Sequence, residues 1–175
     1  MQSSQHHIIN RVAAWLRQDK AVWLCTILKT WGSSPRPVGA MMACTPDGEL
    51  VGSISGGCIE EDFLQQLRDG SLKQQYQENP RPFVVHYGVS AEEQARLRLP
   101  CGGQLHVLVE FLAPDDAQRQ VFDALDQALN NHRPISRRVD LASGAVTTLD
   151  ETSDEAVLVD EQQMIHSLSP RYKLL

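Results

Sequence analysis

Residues 49–68, ELVGSISGGCIEEDFLQQLR, change from a strand pattern to a helix pattern across one glycine-rich break. Residues 49–54 are typical of a strand that returns from a turn as the second arm of a hairpin. After the break, apolar side chains recur at four-residue steps, at Ile59, Phe63 and Leu67. This spacing predicts a helix that begins near Cys58 and ends at about Arg68.

Strand and helix patterns continue on both sides of this unit. Strand patterns occur at residues 21–29, 40–45, 82–87 and 104–111, and a hairpin pattern at 136–149. Helix patterns occur at residues 5–19 and in a stretch of about 17 residues that has Pro114 at its first position. Residues 21–29 are apolar on both faces, which predicts a strand buried on both sides. The fold class predicted is α/β (α+β), a mixed β-sheet flanked by helices in a single domain.

Composition limits the function classes. The chain has 175 residues, of which 42% are hydrophobic and 22% charged, as in one globular domain. Its formal net charge of -6 argues against a main role in binding a nucleic-acid backbone or an anionic membrane surface. A local pocket for a small anion remains compatible with this charge.

Targeting and redox signals point to the cytoplasm. No apolar run approaches the ~18 residues that span a bilayer, and residues 1–7 lack the features of a secretory signal. The four cysteines form no CxxC pair and predict reduced thiols: Cys25, Cys44, Cys58 and Cys101. Cys25 and Cys44 lie in apolar strand patterns, which favours core packing.

Cys58 is the strongest candidate for chemistry. It follows Ser55-Gly56-Gly57 and opens a helix, where unpaired backbone N–H groups favour anions and a thiolate. Residues 53–58 are therefore interpreted as an anion cradle with a partly accessible thiol and with N–H groups that face a cleft. The acidic residues of the first helical turn, Glu60 among them, oppose a thiolate there. The alternative is a small buried core cysteine.

Two further loops extend this candidate site. Cys101 and Gly102 lie in a second glycine-rich loop, and Ser34 and Arg36 in a proline-stiffened one. Arg36 suits a phosphate or carboxylate. We expect Cys58 and Cys101 to lie within roughly 10–15 Å of each other, as in a small-molecule pocket, and Arg36 to line the same cleft. The alternatives are a buried thiol and a surface arginine.

Familiar nucleotide and hydrolase motifs are absent from the sequence. It contains no GxSxG, no GxxxxGK[ST] and no GxGxxG. We therefore expect no NAD for this chain. His86 and His106, each isolated in a strand pattern, are interpreted as structural, and a zinc site with Cys58 and Cys101 has no supporting spacing.

Three segments in order, at residues 32–42, 52–60 and 99–103, resemble the N-terminal domain of the XdhC/CoxI family. These proteins are maturation factors of xanthine and carbon monoxide dehydrogenases. The resemblance covers roughly residues 8–112. It implies domain bounds of 1–170, with 171–175 as the start of a Rossmann-like domain that the chain otherwise lacks.

The resemblance also implies a function. Family members bind the molybdenum cofactor (molybdopterin carrying molybdenum), protect it, and aid its insertion into a molybdenum hydroxylase of the xanthine dehydrogenase type. The motif cysteine implicated in cofactor binding corresponds to Cys58, which the resemblance makes the metal-directed residue. A cysteine desulfurase and a second copy of the chain are the further partners implied. Nucleic acid and membrane are not implied as partners.

Two other interpretations stay open. Cys58 would serve as nucleophile or redox centre in a thiol-dependent transferase or oxidoreductase. A structural or regulatory domain that only docks a dehydrogenase is the third interpretation. The maturation factor has no catalytic turnover of its own, so cofactor binding separates it from both.

Overall fold

The computed structural model describes residues 4–32, 36–55, 57–88, 92–93 and 103–170. It confirms a mixed α/β fold in which helices accompany β-sheets. The chain divides into two compact units, one made of residues 23–111 and one made of residues 1–22 with 112–175. The predicted domain bounds of 1–170 stay a prediction.

The unit of residues 23–111 is built on a sheet with the strand order β3-β2-β1-β5-β4. The strands are β1 (Val22–Trp31), β2 (Met41–Cys44), β3 (Leu50–Gly52), β4 (Phe83–Tyr87) and β5 (Gln104–Leu112). β2 pairs antiparallel with both β1 and β3, and β4 pairs antiparallel with β5. The predicted hairpin of residues 40–54 is therefore confirmed, with Gly48 at positive φ in its turn.

The helix α2 (Cys58–Arg68) has the predicted bounds. Its apolar residues Ile59 and Phe63 join a core cluster with the sheet residues Cys25, Met42 and Val107. A side chain every fourth residue faces the same way on a helix, so this stripe packs on the sheet and leaves the polar positions outward. The cluster fixes α2 and the loop before it against the sheet.

A second helix on this unit, α3 (Ser71–Glu78), was not predicted from the sequence. Gly70 separates α2 from α3 and stands at φ 83 directly before α3. The missing Cβ of glycine makes this left-handed conformation inexpensive. Leu72 is the buried residue of α3, so its sequence carries almost no apolar period.

The other unit contains α1 (Ser4–Arg17), α4 (Asp116–Asn130) and a second sheet of order β7-β6-β9-β8. Its strands are β6 (Ile135–Asp140), β7 (Val146–Leu149), β8 (Val157–Val159) and β9 (Gln163–Leu168). β6 and β7 are the predicted hairpin of residues 136–149, whereas β8 and β9 were not predicted. Polar pairs join the two helices, such as Asn10 with Asp126 and Arg17 with Asp123.

Two local predictions are wrong. Pro114 is not the first residue of α4, because Asp115 is the N-cap and accepts a hydrogen bond from the Gln118 N–H. The apolar and polar side chains of residues 104–111 alternate in the sequence and predict a half-buried strand, whereas in β5 Leu108 and Glu110 are buried as well as their neighbours. Among the described residues, no helix combines the length and apolar character needed to cross a bilayer.

Candidate functional site

The ends of several strands meet at one edge of the five-stranded sheet. Thr26 of β1 pairs with Met41, the first residue of β2, and Met42 pairs with Gly52, the last residue of β3. The Ser53 N–H donates to the Met41 carbonyl, which continues this pairing past β3. The loop that enters β2 and the loop that leaves β3 therefore lie at the same edge.

The start of β5 lies at this edge too. The Trp31 ring at the end of β1 is 4.4 Å from the His106 ring near the start of β5, measured between ring centroids. His106 in turn pairs with His86, one residue before the end of β4. The three family-like segments, at residues 32–42, 52–60 and 99–103, therefore all adjoin strands that begin or end at this edge of the sheet.

The carboxylate of Glu60 holds the loop between β3 and α2. Its Oε1 accepts hydrogen bonds from the Ile54 N–H at 2.6 Å and from the Ser55 N–H at 2.8 Å. Its Oε2 accepts from the Gly57 N–H at 2.8 Å and from the Ser55 hydroxyl. The Ser53 hydroxyl also donates to Oε1. One side chain thus satisfies three backbone donors and two hydroxyls.

These contacts change the acidity of Glu60. Burial opposes its ionisation, but the hydrogen bonds from the Ser55 hydroxyl and from the Ile54 and Ser55 N–H groups outweigh burial. They lower the pKa of Glu60 from 4.5 to about 2. Donors aimed at a carboxylate stabilise its charged form. Glu60 is therefore ionised at neutral pH although it is buried.

The interpretation of residues 53–58 as an open anion cradle is wrong for the N–H groups of Ser55 and Gly57, and it stays a prediction for that of Cys58. The Ser55 and Gly57 N–H groups donate to Glu60 rather than facing a cleft. Ser55 also uses its hydroxyl, which donates to Glu60 and accepts from the Ile59 N–H. The anion in the cradle is the chain's own carboxylate. The sequence signal for this was the glutamate three residues after the N-cap Gly57, as in a capping box.

Cys58 is placed as predicted. It is the first residue of α2, follows Gly57 at φ 136, and its side chain is half-buried. The Glu60 contacts fix the loop on which it stands, so the thiol has a defined position at the sheet edge. Cys58 is therefore the described cysteine that is not fully buried.

The other two described cysteines are core residues, as predicted. Cys25 and Cys44 have no exposed surface. Burial raises the pKa of Cys44 to about 12. Burial also raises the pKa of Cys25 well above 9.0, with the charges of Cys44, Glu110 and Glu60 adding to the effect. Both thiols therefore stay protonated and unreactive at neutral pH.

Of the remaining predicted site residues, the structure describes some and leaves others outside the described residues. Arg36 is exposed in the loop that enters β2, so it lies toward the same sheet edge. Its place in one cleft with Cys58 stays a prediction. Ser34, Gly56, Cys101 and Gly102 lie outside the described residues, as does the predicted approach of Cys101 to Cys58. No group of three metal-ligating side chains occurs in the described part of the chain.

Part of the chain matches a known protein family, and most of it matches two curated relatives at low identity. Residues 15–88 match the XdhC and CoxI family. The chain is 26% identical over 158 residues to a probable xanthine dehydrogenase subunit of Bacillus subtilis (strain 168), covering 86% of this chain and 45% of that protein. It is 27% identical over 143 residues to the molybdenum cofactor insertion chaperone PaoD of Escherichia coli (strain K12), covering 79% of this chain and 40% of that protein.

A solved structure supports the fold. The crystal structure of a xanthine dehydrogenase from Bacillus halodurans matches with a TM-score of 0.66 at 24% sequence identity. The match covers 97% of this chain and 54% of that chain. The present chain thus spans less than half the length of the two relatives named above. The resemblance stated from the sequence motifs is confirmed.

Proposed function

Because residues 15–88 match the XdhC and CoxI family, we propose that this chain is a molybdenum cofactor chaperone. In this role it binds the cofactor as cargo, protects it, and aids its insertion into a molybdenum hydroxylase of the xanthine dehydrogenase type. The names of the two relatives, an insertion chaperone and a xanthine dehydrogenase subunit, support this role. We place this activity in the cytoplasm, as the thiol content suggests.

The observation that carries the proposal is the loop of residues 53–57, which Glu60 holds at the sheet edge with Cys58 at its end. A half-buried thiol on a fixed loop offers a soft sulfur ligand to a metal–sulfur centre without a search over conformations. Cys58 is the residue that we assign to the metal end of the cargo.

Other groups at the edge suit the rest of the cofactor. Arg36 provides a charge for its phosphate in a chain of net charge -6. Gly57, with φ 136 and open space where a Cβ would stand, lets a ligand approach the main chain. Ser55 acts mainly on the loop itself, since its hydroxyl and N–H both bind Glu60. Ser34, Gly56, Cys101 and Gly102 remain part of the proposed site.

The proposal is tested by loading and transfer. The 175-residue chain is purified from cells that make molybdopterin, and the oxidised pterin released on denaturation is measured by fluorescence. The loaded chain is then mixed with a cofactor-free molybdenum hydroxylase. We expect pterin in the chaperone fraction and its transfer to the hydroxylase. A chain that carries no pterin above a matched unrelated protein contradicts the proposal.

The rival function is a thiol-dependent transferase or oxidoreductase, which the half-buried Cys58 keeps in view. Such enzymes pair the thiol with a base. Within the described residues, no histidine hydrogen-bonds to the Cys58 thiol, so this geometry favours a ligand over a nucleophile. Turnover of a reactive thiol substrate by the chain, lost in Cys58→Ser, would support the rival instead.

The partners remain part of the proposal. Insertion requires a molybdenum hydroxylase, and a cysteine desulfurase would supply the terminal sulfur of the cofactor. A homodimer is a further expectation. Co-purification with each partner and the mass of the chain in solution test these three points separately.

A further inference from the structure

Three aromatic side chains form a connected row at the sheet edge. His86 and His106 are directly paired across β4 and β5, and their rings stack with centroids 3.8 Å apart and planes 9° apart. The Trp31 ring meets His106 edge-on, with centroids 4.4 Å apart. The row therefore runs from the end of β1 over β5 to β4. We call Trp31, His106 and His86 the aromatic row.

The aromatic row is exposed to solvent, and its tryptophan is far more exposed than the other two tryptophans of the chain. Trp31 is 43% exposed, whereas Trp15 and Trp23 are 3% exposed each. Of the large hydrophobic side chains that the described ranges leave exposed, Trp31 is the aromatic one. His86 is exposed and His106 half-buried. Trp31 lies at the same end of the sheet as the loop between β3 and α2, and an exposed aromatic ring can stack on a planar ligand.

A lysine and a carboxylate flank the row, since Glu93 accepts a hydrogen bond from the Gly88 N–H just after His86. Lys29 lies close enough to His106 for its charge to act on that ring. Burial, followed by the charges of His86 and Lys29, lowers the pKa of His106 below 6.5. His106 is therefore neutral at pH 7, which permits the close stacking on His86. A lysine near an exposed aromatic ring suits a planar ligand that carries an anionic group.

We propose that the aromatic row is a stacking platform for a planar heterocyclic ring in a ligand that also carries an anionic group, and that this ring is the pterin of the cargo. The proposal rests on the proposed function and deepens it. It divides the cofactor between two parts of one sheet edge: Cys58 addresses the metal–sulfur end, and the row addresses the ring. Stacking on aromatic side chains tolerates substituents on the ring, since any planar ring has a π-face.

A free pterin separates this platform from the thiol. Pterin-6-carboxylic acid, which has no metal and no dithiolene, is titrated with the full chain, and binding is followed by the fluorescence anisotropy of the pterin. We expect Trp31→Ala to weaken binding about tenfold, which corresponds to about 1.4 kcal/mol. Trp31→Phe keeps a ring and should weaken it less. His86→Ala removes the other end of the row and should also weaken binding.

Val84→Ala is the matched control, because Val84 lies on β4 two residues before His86 and is 43% exposed, like Trp31. We expect it to bind the pterin as the unchanged chain does. The proposal is overturned if the unchanged chain does not bind the free pterin, if Trp31→Ala and His86→Ala bind it normally, or if Val84→Ala weakens it equally.

The same data keep the two proposals apart. If the chain recovers molybdopterin from cells but Trp31→Ala leaves free-pterin binding unchanged, the platform is wrong and the chaperone function stands. If free pterin binds through Trp31 but no molybdopterin is recovered from producing cells, the chaperone function is wrong and the ring site stands.

Discussion

Replacing Glu60 with glutamine tests whether its carboxylate organises the candidate site. The substitution keeps the size of the side chain and removes its charge, so the donors that converge on it lose their charged acceptor. The pKa of Glu60 falls from 4.5 to about 2 on folding. Because one pKa unit is worth about 1.36 kcal/mol, the ionised form is stabilised by about 3 kcal/mol relative to the protonated form. At 5% exposure, solvent screens little of this energy.

We therefore expect Glu60→Gln to lower the free energy of unfolding at pH 7 by about 2–4 kcal/mol. With a urea dependence of about 2 kcal/mol per M, the urea midpoint should fall by about 1–2 M. Glu61→Gln is the control, since Glu61 lies in the same helical turn and is exposed. It should change the midpoint by much less.

The pH dependence gives the sign of the effect. The folded-state pKa of Glu60 lies below its unfolded value, so the contribution is complete above pH 4.5 and is lost as the pH falls toward 2. The difference in the free energy of unfolding between the unchanged chain and Glu60→Gln should therefore become smaller as the pH falls from 4.5 toward 2. Equal urea midpoints for Glu60→Gln and Glu61→Gln at pH 7 would refute the reasoning.

Three further predictions concern the same unit. Gly57→Ala should destabilise the chain by about 1–3 kcal/mol through backbone strain alone, because φ is 136 and no atom lies within 4 Å of the added Cβ; an unchanged melting temperature would contradict this. In a Cys101→Ser variant, the Cys58 thiol of the folded chain should react rapidly with an aromatic disulfide at pH 8, whereas Cys25 and Cys44 should react only on unfolding. A second rapidly reacting thiol would contradict this. Because folding lowers the pKa of His106, its contribution to stability is present above pH 6.5 and is lost as the pH falls below that value. His106→Phe should therefore make the melting temperature depend less on pH between 7.5 and 5.5, and an unchanged pH dependence would count against this.

The sequence predicted the elements whose signal is local. Ile59, Phe63 and Leu67 fall on one helical face, and α2 has the bounds that this spacing indicates. The doubly apolar run at residues 21–29 became β1, whose first seven residues are buried. Both patterns depend only on which faces of an element leave water.

The missed features depend on contacts between distant residues. α3 packs only Leu72 and, partly buried, Tyr76 against the core, so its apolar period is too short to mark a helix. His86 and His106 were interpreted as isolated, because the register that stacks them is set by the pairing of β4 with β5. Glu60 was interpreted as one of several first-turn acids, whereas its burial and its five donors arise only when the loop folds back over it.

The central claim is that Cys58 holds the metal end of a molybdenum cofactor, and the amount of molybdopterin retained per chain measures it most directly. The unchanged chain, Cys58→Ser and Glu61→Gln are purified from the same molybdopterin-producing cells, matched for folding by circular dichroism. Removing one small, half-buried side chain at a helix start leaves little cavity, so Cys58→Ser should fold normally. We predict that Cys58→Ser retains a small fraction of the pterin that the unchanged chain and Glu61→Gln retain. Equal pterin content in all three proteins would contradict the account.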